Sequence, residues 1–122
     1  MPMSHRELWD KGDRLIFQIA IEYSSNGYFV IPNYGHSLGV DLMVIANPSG
    51  TIKAVIECKN YARKNYVCEA TFKKDIDSLN IFSRLPNIEK IMVVSYSEIL
   101  SDEQKEKLRQ SNIKLRVMGY EA

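Results

Sequence analysis

The stretch that decides the fold is residues 39–59, GVDLMVIANPSGTIKAVIECK. Two runs of apolar residues, 40–46 and 52–59, flank residues 47–50 (NPSG), whose Pro and Gly stand at the second and fourth positions of a type I turn. This pattern predicts an antiparallel β-hairpin. Because apolar residues fill both alternating sets of each run, we expect the hairpin to lie inside a sheet that is covered on both faces.

Helices and further strands are predicted on either side of the hairpin. Three-and-four spacing of apolar residues, or a capping-box pair, predicts helices over residues 4–25, 70–84 and 101–111. Short β-rich or apolar runs predict strands over residues 28–32, 90–96 and 113–118, with a loop over 33–39. The order α-β-β-β-α-β-α-β predicts an α/β fold in which helices flank a mixed sheet.

Length and charge limit the classes of function. A chain of 122 residues is expected to form a single domain, residues 1–122, with one site. Lys and Arg total 16 against 15 Asp and Glu, so the net charge of +1 excludes binding by a generally cationic surface. With no apolar run of membrane length and no secretory signal, we expect a cytoplasmic protein in which Cys58 and Cys68 are free thiols.

Several common catalytic and metal-binding motifs are absent from the sequence. It has no P-loop, no dinucleotide-binding glycine pattern, no nucleophile-elbow serine and no C-x-x-C pair. Zinc is disfavoured because the His and Cys residues do not have zinc-finger spacing. Nucleotide-binding folds, serine hydrolases and zinc enzymes therefore lose support.

Charged residues occur where the predicted hairpin is otherwise apolar. Asp41 begins the first strand, and Glu57 and Lys59 end the second, where strand alternation places both on one face and Cys58 on the other. Taken separately, such residues are usually a turn aspartate and a surface ion pair. Taken together, two carboxylates and an ammonium at one spot indicate a Mg²⁺ site for phosphodiester hydrolysis.

These residues also resemble a known group of nucleases. Gly39-Val40-Asp41 followed by residues 55–59 (VIECK) resembles the motif of the PD-(D/E)xK superfamily, with Val40-Asp41 in place of Pro-Asp. Residues 12–96 are similar to the archaeal Holliday junction resolvases, which share Gly27-Tyr28 and a serine, here Ser37, four positions before the Asp. The resemblance implies a restriction-endonuclease-like fold. The chain after Tyr96 looks more like the Mrr-like restriction enzymes.

The resemblance also implies roles for individual residues. Asp41 and Glu57 are expected to bind Mg²⁺ or Mn²⁺ together with the Cys58 main-chain carbonyl. Lys59 is expected to serve the attacking water, and Ser37 to lie near the scissile phosphate.

One position departs from the family pattern. The family carries a metal-associated Glu on its first helix, where this chain has Ile16. Asp13 and Glu22 flank the core-facing stripe of apolar residues on this predicted helix and are candidate substitutes for that Glu. The alternative is a metal site with fewer protein ligands.

A local excess of positive charge follows the predicted catalytic strand. Residues 59–74 carry a balance of +4, with Tyr61 and Tyr66 among the basic residues. We expect Arg63, Lys64 and Lys73 to contact DNA.

Three functions stay open at this stage. They are a Mg²⁺-dependent endodeoxyribonuclease, either resolvase-like or Mrr-like; a non-catalytic DNA-binding module with a degenerate site; and an interaction subunit whose basic segment is merely solvated. A homodimer would suit a four-way junction, because such a junction has twofold character. His36, a loop histidine, is expected to be merely exposed rather than a phosphate contact or proton carrier.

Overall fold

The computed structural model describes residues 5–33 and 39–122, with three α-helices and five β-strands in those ranges. The helices are α1 (His5–Ser25), α2 (Glu69–Asn80) and α3 (Asp102–Gln110). The strands are β1 (Phe29–Pro32), β2 (Leu42–Ile45), β3 (Ile52–Lys59), β4 (Glu89–Val94) and β5 (Lys114–Val117). The predicted order of elements is therefore confirmed. None of the helices in these ranges is long and apolar enough to cross a membrane.

The five strands form one mixed sheet in the order β1-β2-β3-β4-β5. The first three strands pair antiparallel, whereas β3, β4 and β5 run parallel. Parallel neighbours need crossover connections, and α2 and α3 supply them. The predicted α/β architecture with a mixed sheet is confirmed, and β3 is its central strand.

The sheet has an apolar core on each face. On one face α1 packs through Leu15, Ile16 and Ile19 against the even-numbered side chains of β2 and β3. On the other face α2 and α3 pack against a set of buried residues that includes Val55 and Met92. The prediction that the hairpin is covered on both faces is correct, because β3 contributes buried side chains to both cores and Met43 of β2 packs, partly buried, against the second.

The hairpin turn differs from the predicted type I turn. The Asn47–Pro48 peptide bond is cis, and the Gly50 N–H donates to the Ala46 carbonyl at 2.8 Å, which closes a five-residue turn. A Pro-Gly pattern indicates a turn but does not distinguish the two isomers of the bond before proline.

The second helix is shorter than predicted. It ends at Asn80, and residues Ile81–Arg84 continue as a 3-10 helix. Tightening of a terminal turn in this way satisfies carbonyl groups that an α-helix leaves unpaired at its end. The third helix begins as predicted, since Ser101 and Gln104 form a reciprocal capping box.

Lys90 interrupts the apolar pattern of β4 for a structural reason. Its buried ammonium donates to Asn80 Oδ1 at 3.0 Å, Ser83 Oγ at 2.9 Å and the Ser111 carbonyl at 2.6 Å. These groups lie at the carboxyl ends of α2 and α3, where helix dipoles favour a cation. Lys90 therefore ties both crossover helices to the sheet.

Candidate active site

Asp41 and Glu57 come together at the end of the hairpin. Leu42 pairs with Ile56, so Asp41, one residue earlier, reaches the level of Glu57, one residue later on the neighbouring strand. The Cys58 N–H donates to Asp41 Oδ2 at 2.8 Å. Glu57 is only 4% exposed. The two carboxyl groups predicted from the sequence to converge therefore lie side by side.

Strand alternation separates Cys58 from its neighbours. The Cys58 thiol is buried in the core on the α1 face, where burial raises its pKa well above the ordinary value. Glu57 and Lys59 point toward the α2 face, as the sequence predicted. The side chain of Cys58 is thus absent from the site, and only its main chain borders the carboxyl groups.

The environment of Glu57 disfavours its ionised form. Burial, the adjacent negative charges of Asp41 and Asp75, and a hydrogen bond shared with Asp41 raise the pKa of Glu57 to about 10. A second cation beside the pair would reverse this effect, because it would favour both carboxylates. With Lys59 as its only cation among the described residues, the site therefore favours a proton shared by the two acids over two negative charges.

Replacing Glu57 by Gln is expected to flatten the pH dependence of stability. The pKa of Glu57 is raised from 4.5 to about 10, so the folded protein binds the proton more tightly than the unfolded chain does. Its contribution to stability is present below pH 4.5 and is lost as the pH rises toward 10, by at most about 1.4 kcal/mol per pH unit. Urea unfolding in EDTA between pH 5 and 9 measures the slope. Equal slopes for Glu57→Gln and wild type would contradict the assignment.

Asp75 is a fourth charged member of the site, and the sequence reasoning missed it. Its Oδ2 lies 2.7 Å from the Lys59 Nζ, and both side chains are largely buried. Burial raises the pKa of the Asp75 carboxyl, while Lys59 opposes that shift. The signal was available in the helix periodicity: Asp75 follows Phe72 by three positions and precedes Leu79 by four, so it falls on the buried stripe of α2.

The first helix does not supply the carboxylate that the family pattern would place at Ile16. Ile16 is buried in the core on the α1 face, on the side of the sheet opposite Glu57. Glu22 is exposed and forms an ion pair with Arg116 of β5 at 2.7 Å, so its carboxylate is engaged elsewhere in this structure. Asp13 is partly exposed on α1 and stays an untested candidate.

The segment after β3 is held by two buried polar side chains. Ser95 accepts from the Tyr61 N–H at 3.0 Å and donates to the Tyr61 carbonyl, and its own N–H donates to the Lys59 carbonyl at 2.9 Å. The Asn60 side chain bonds the Lys11 carbonyl and the main chain of Ala122. The backbone around Lys59 is therefore held by hydrogen bonds to β4's continuation at Ser95 and, through Asn60, to α1 and Ala122.

The structure describes three of the four residues predicted to contact DNA, and all three are at the surface. Arg63, Lys64 and Lys73 are exposed, although Arg63 pairs with Glu98 at 3.1 Å and its guanidinium carbon lies 4.6 Å from the ring centre of Tyr96. Ser37 and His36 lie outside the described residues. The structure thus keeps the basic segment at the surface but engages Arg63 locally.

The geometry defines a cluster of three acids and one ammonium on a single face of the sheet. No family model, curated protein or solved structure matches the chain significantly. Within residues 5–33 and 39–122, no three His, Cys, Asp or Glu side chains form a metal-binding group on their own. A metal held by Asp41 and Glu57 would need further oxygens from the Cys58 carbonyl, water or substrate.

Proposed function

We propose that this protein is a Mg²⁺-dependent endodeoxyribonuclease of restriction-endonuclease-like fold, which hydrolyses phosphodiester bonds of DNA. The observation that carries the proposal is the adjacency of Asp41 and Glu57 on the face of β3 that also carries Lys59. Asp41 and Glu57 are the carboxylates, and Lys59 the ammonium, that such hydrolysis uses. Mn²⁺ is the natural replacement for Mg²⁺ at an all-oxygen site.

The donor set fits a hard divalent cation. Asp41 and Glu57 offer carboxylate oxygens, the Cys58 main-chain carbonyl a third oxygen, and Mg²⁺ binds such ligands together with waters and phosphate. The pKa of Glu57 is raised first by burial and then by the negative charges of Asp41 and Asp75, and a divalent cation beside the pair would offset both effects by favouring the ionised carboxylates. When bound, the ion would polarise a phosphoryl oxygen and lower the pKa of a bound water.

Lys59 acts as a cation rather than as a base. Asp75 and Asp41 raise the pKa of the Lys59 ammonium despite its burial, so the protonated form is favoured at neutral pH. A protonated lysine can donate hydrogen bonds to the attacking water and to the phosphate, and it stabilises the additional negative charge of the transition state. We therefore assign Lys59 to orienting water and stabilising charge.

The basic surface beside the site is the proposed path of the DNA backbone. Arg63, Lys64 and Lys73 are exposed and follow β3 in the chain, and Ser37 is proposed near the scissile phosphate. A homodimer is the proposed assembly, because one chain provides one site and cutting two strands needs a second. Four-way junctions are the first substrate to test, since the sequence resemblance is to resolvases.

Cleavage assays test the proposal directly. Purified protein is incubated with four-way junction, flap and plasmid DNA in Mg²⁺ or Mn²⁺, with EDTA as the control. Metal-dependent cleavage is expected, with preference for the junction in a resolvase-like enzyme and for duplex plasmid in an Mrr-like one. Absence of cleavage on all substrates with both metals would contradict the nuclease assignment.

A second candidate, a DNA-binding module that does not cut, is favoured by one observation. Ile16 faces the opposite core, so the first helix provides no acid at that position. Such a module would bind DNA in a salt-dependent manner, more weakly after Arg63→Ala with Lys64→Ala, yet would leave it intact. An interaction subunit without nucleic acid would show neither binding nor cleavage.

A further inference from the structure

The ion pair between Lys59 and Asp75 joins the central strand to the crossover helix. The Lys59 Nζ lies 2.7 Å from Asp75 Oδ2, and the two side chains are only 13% and 9% exposed. Asp75 Oδ2 has no hydrogen-bond partner in the described part of the chain, so this ion pair is the contact that compensates its burial. The carboxylate of Asp75 is therefore directed at the Lys59 ammonium.

Packing alone does not account for an aspartate at this position. Asp75 lies on the buried stripe of α2 with Phe72, Ile76 and Leu79, where an apolar residue would pack without loss of hydration. Buried ion pairs seldom stabilise a fold more than well-packed apolar residues do, because both charges lose water. The pair is thus better explained by what it does to Lys59 than by a gain in stability.

Asp41 is a second carboxylate near the Lys59 ammonium, because it lies level with Glu57 on the neighbouring strand and Lys59 follows Glu57 by two residues on the same face of β3. The attractions that raise the pKa of Lys59 come first from Asp75 and then from Asp41. Lysine has a flexible side chain with four rotatable bonds and a point-like charge, so its ammonium can reach more than one nearby carboxylate. Without Asp75, Asp41 would be the strongest remaining partner, and the ammonium would occupy the space beside a carboxylate assigned to the metal.

We propose that Asp75 is a positioning residue, which holds the Lys59 ammonium beside the Asp41–Glu57 pair and keeps it from closing onto Asp41. This inference rests on the proposed nuclease function. It assigns to α2 a charged residue whose direct contact in the site is Lys59. Asp75 is placed against Lys59 and is not assigned to the metal.

The test is a double-mutant cycle on cleavage. Asp75→Asn is expected to lower kcat about 10- to 100-fold with little change in KM for DNA, since a misplacement of about 1 Å costs up to that factor. Asp75→Glu, which restores the carboxylate, should recover most of the loss. In a Lys59→Met background, Asp75→Asn should cause no further loss, because the two residues act as one unit. Asp77→Asn, an exposed change of the same chemistry on the same helix, is the matched control.

Binding of Mn²⁺, followed by calorimetry, is a readout that does not depend on cleavage. Asp75→Asn is expected to weaken Mn²⁺ binding about tenfold, within the usual range for residues that support metal ligands. The weakening should vanish in the Lys59→Met background if it acts through Lys59. If it persists there, Asp75 contributes only its negative charge and the inference is wrong. Circular dichroism and thermal unfolding confirm that each variant is folded.

The outcomes separate this inference from the nuclease proposal. Cleavage by wild type together with undiminished cleavage by Asp75→Asn would overturn the role of Asp75 and leave the nuclease assignment intact. No cleavage by wild type would overturn the nuclease assignment, and the Mn²⁺ cycle would then decide the role of Asp75 by itself. If Asp75→Asn lowers only the melting temperature, Asp75 has a merely structural role and the inference is wrong.

Discussion

Asp41→Asn is expected to reduce DNA cleavage at least about 1,000-fold, equivalent to about 4 kcal/mol of transition-state stabilisation. The amide oxygen of Asn can still accept the hydrogen bond from the Cys58 N–H, so the junction of β2 and β3 is preserved. What is lost is one of two carboxylates assigned to Mg²⁺. The effect should therefore fall on metal-dependent catalysis and spare the fold.

Single-turnover cleavage and calorimetric Mg²⁺ binding measure the effect of Asp41→Asn. Glu103→Gln is a suitable control, because Glu103 is an exposed acid in the first turn of α3. Metal binding should weaken in parallel with cleavage in Asp41→Asn and stay unchanged in the control. Cleavage by Asp41→Asn at the wild-type rate would remove Asp41 from the site.

Lys59→Met is expected to lower kcat by about 100- to 10,000-fold, the range seen when a group that positions or activates the nucleophile is removed. Met keeps most of the apolar length of the side chain and deletes only the charge. Because Asp75 would then be a buried carboxylate without its partner, the variant should also lose about 3 kcal/mol of stability.

The two effects of Lys59→Met can be separated with a second variant. Adding Asp75→Asn removes the unpaired charge, so the double variant should regain stability but not activity. Urea unfolding and single-turnover cleavage on the same preparations give both quantities. Lys107→Met, an exposed change on α3, is the control. Retention of wild-type kcat by a folded Lys59→Met variant would exclude a role for its ammonium in catalysis.

Local sequence patterns predicted most of the fold. The order of helices and strands follows from the spacing of apolar residues, and the capping box of α3 from a pair of residues three apart. The faces of Glu57, Cys58 and Lys59 follow from the two-residue period of a strand. These predictions succeed because each depends on residues that are close together in the chain.

Other features depend on how distant elements pack. Two ion pairs, Glu22 with Arg116 and Arg63 with Glu98, join residues that are far apart in the chain. No local pattern in the sequence indicates that these residues are neighbours. The type of hairpin turn was also missed, because the same residues allow either isomer of the bond before proline.

The sequence by itself determined that Asp41, Glu57 and Lys59 share one face of the central hairpin, since strand pairing and alternation are local rules. Only the tertiary structure decided that Asp75 joins them. The periodicity of α2 places Asp75 on the buried side of the helix. Which strand residue Asp75 contacts depends on how α2 crosses the sheet between β3 and β4. That crossing brings a buried carboxylate to the Lys59 ammonium, sixteen residues away in the chain.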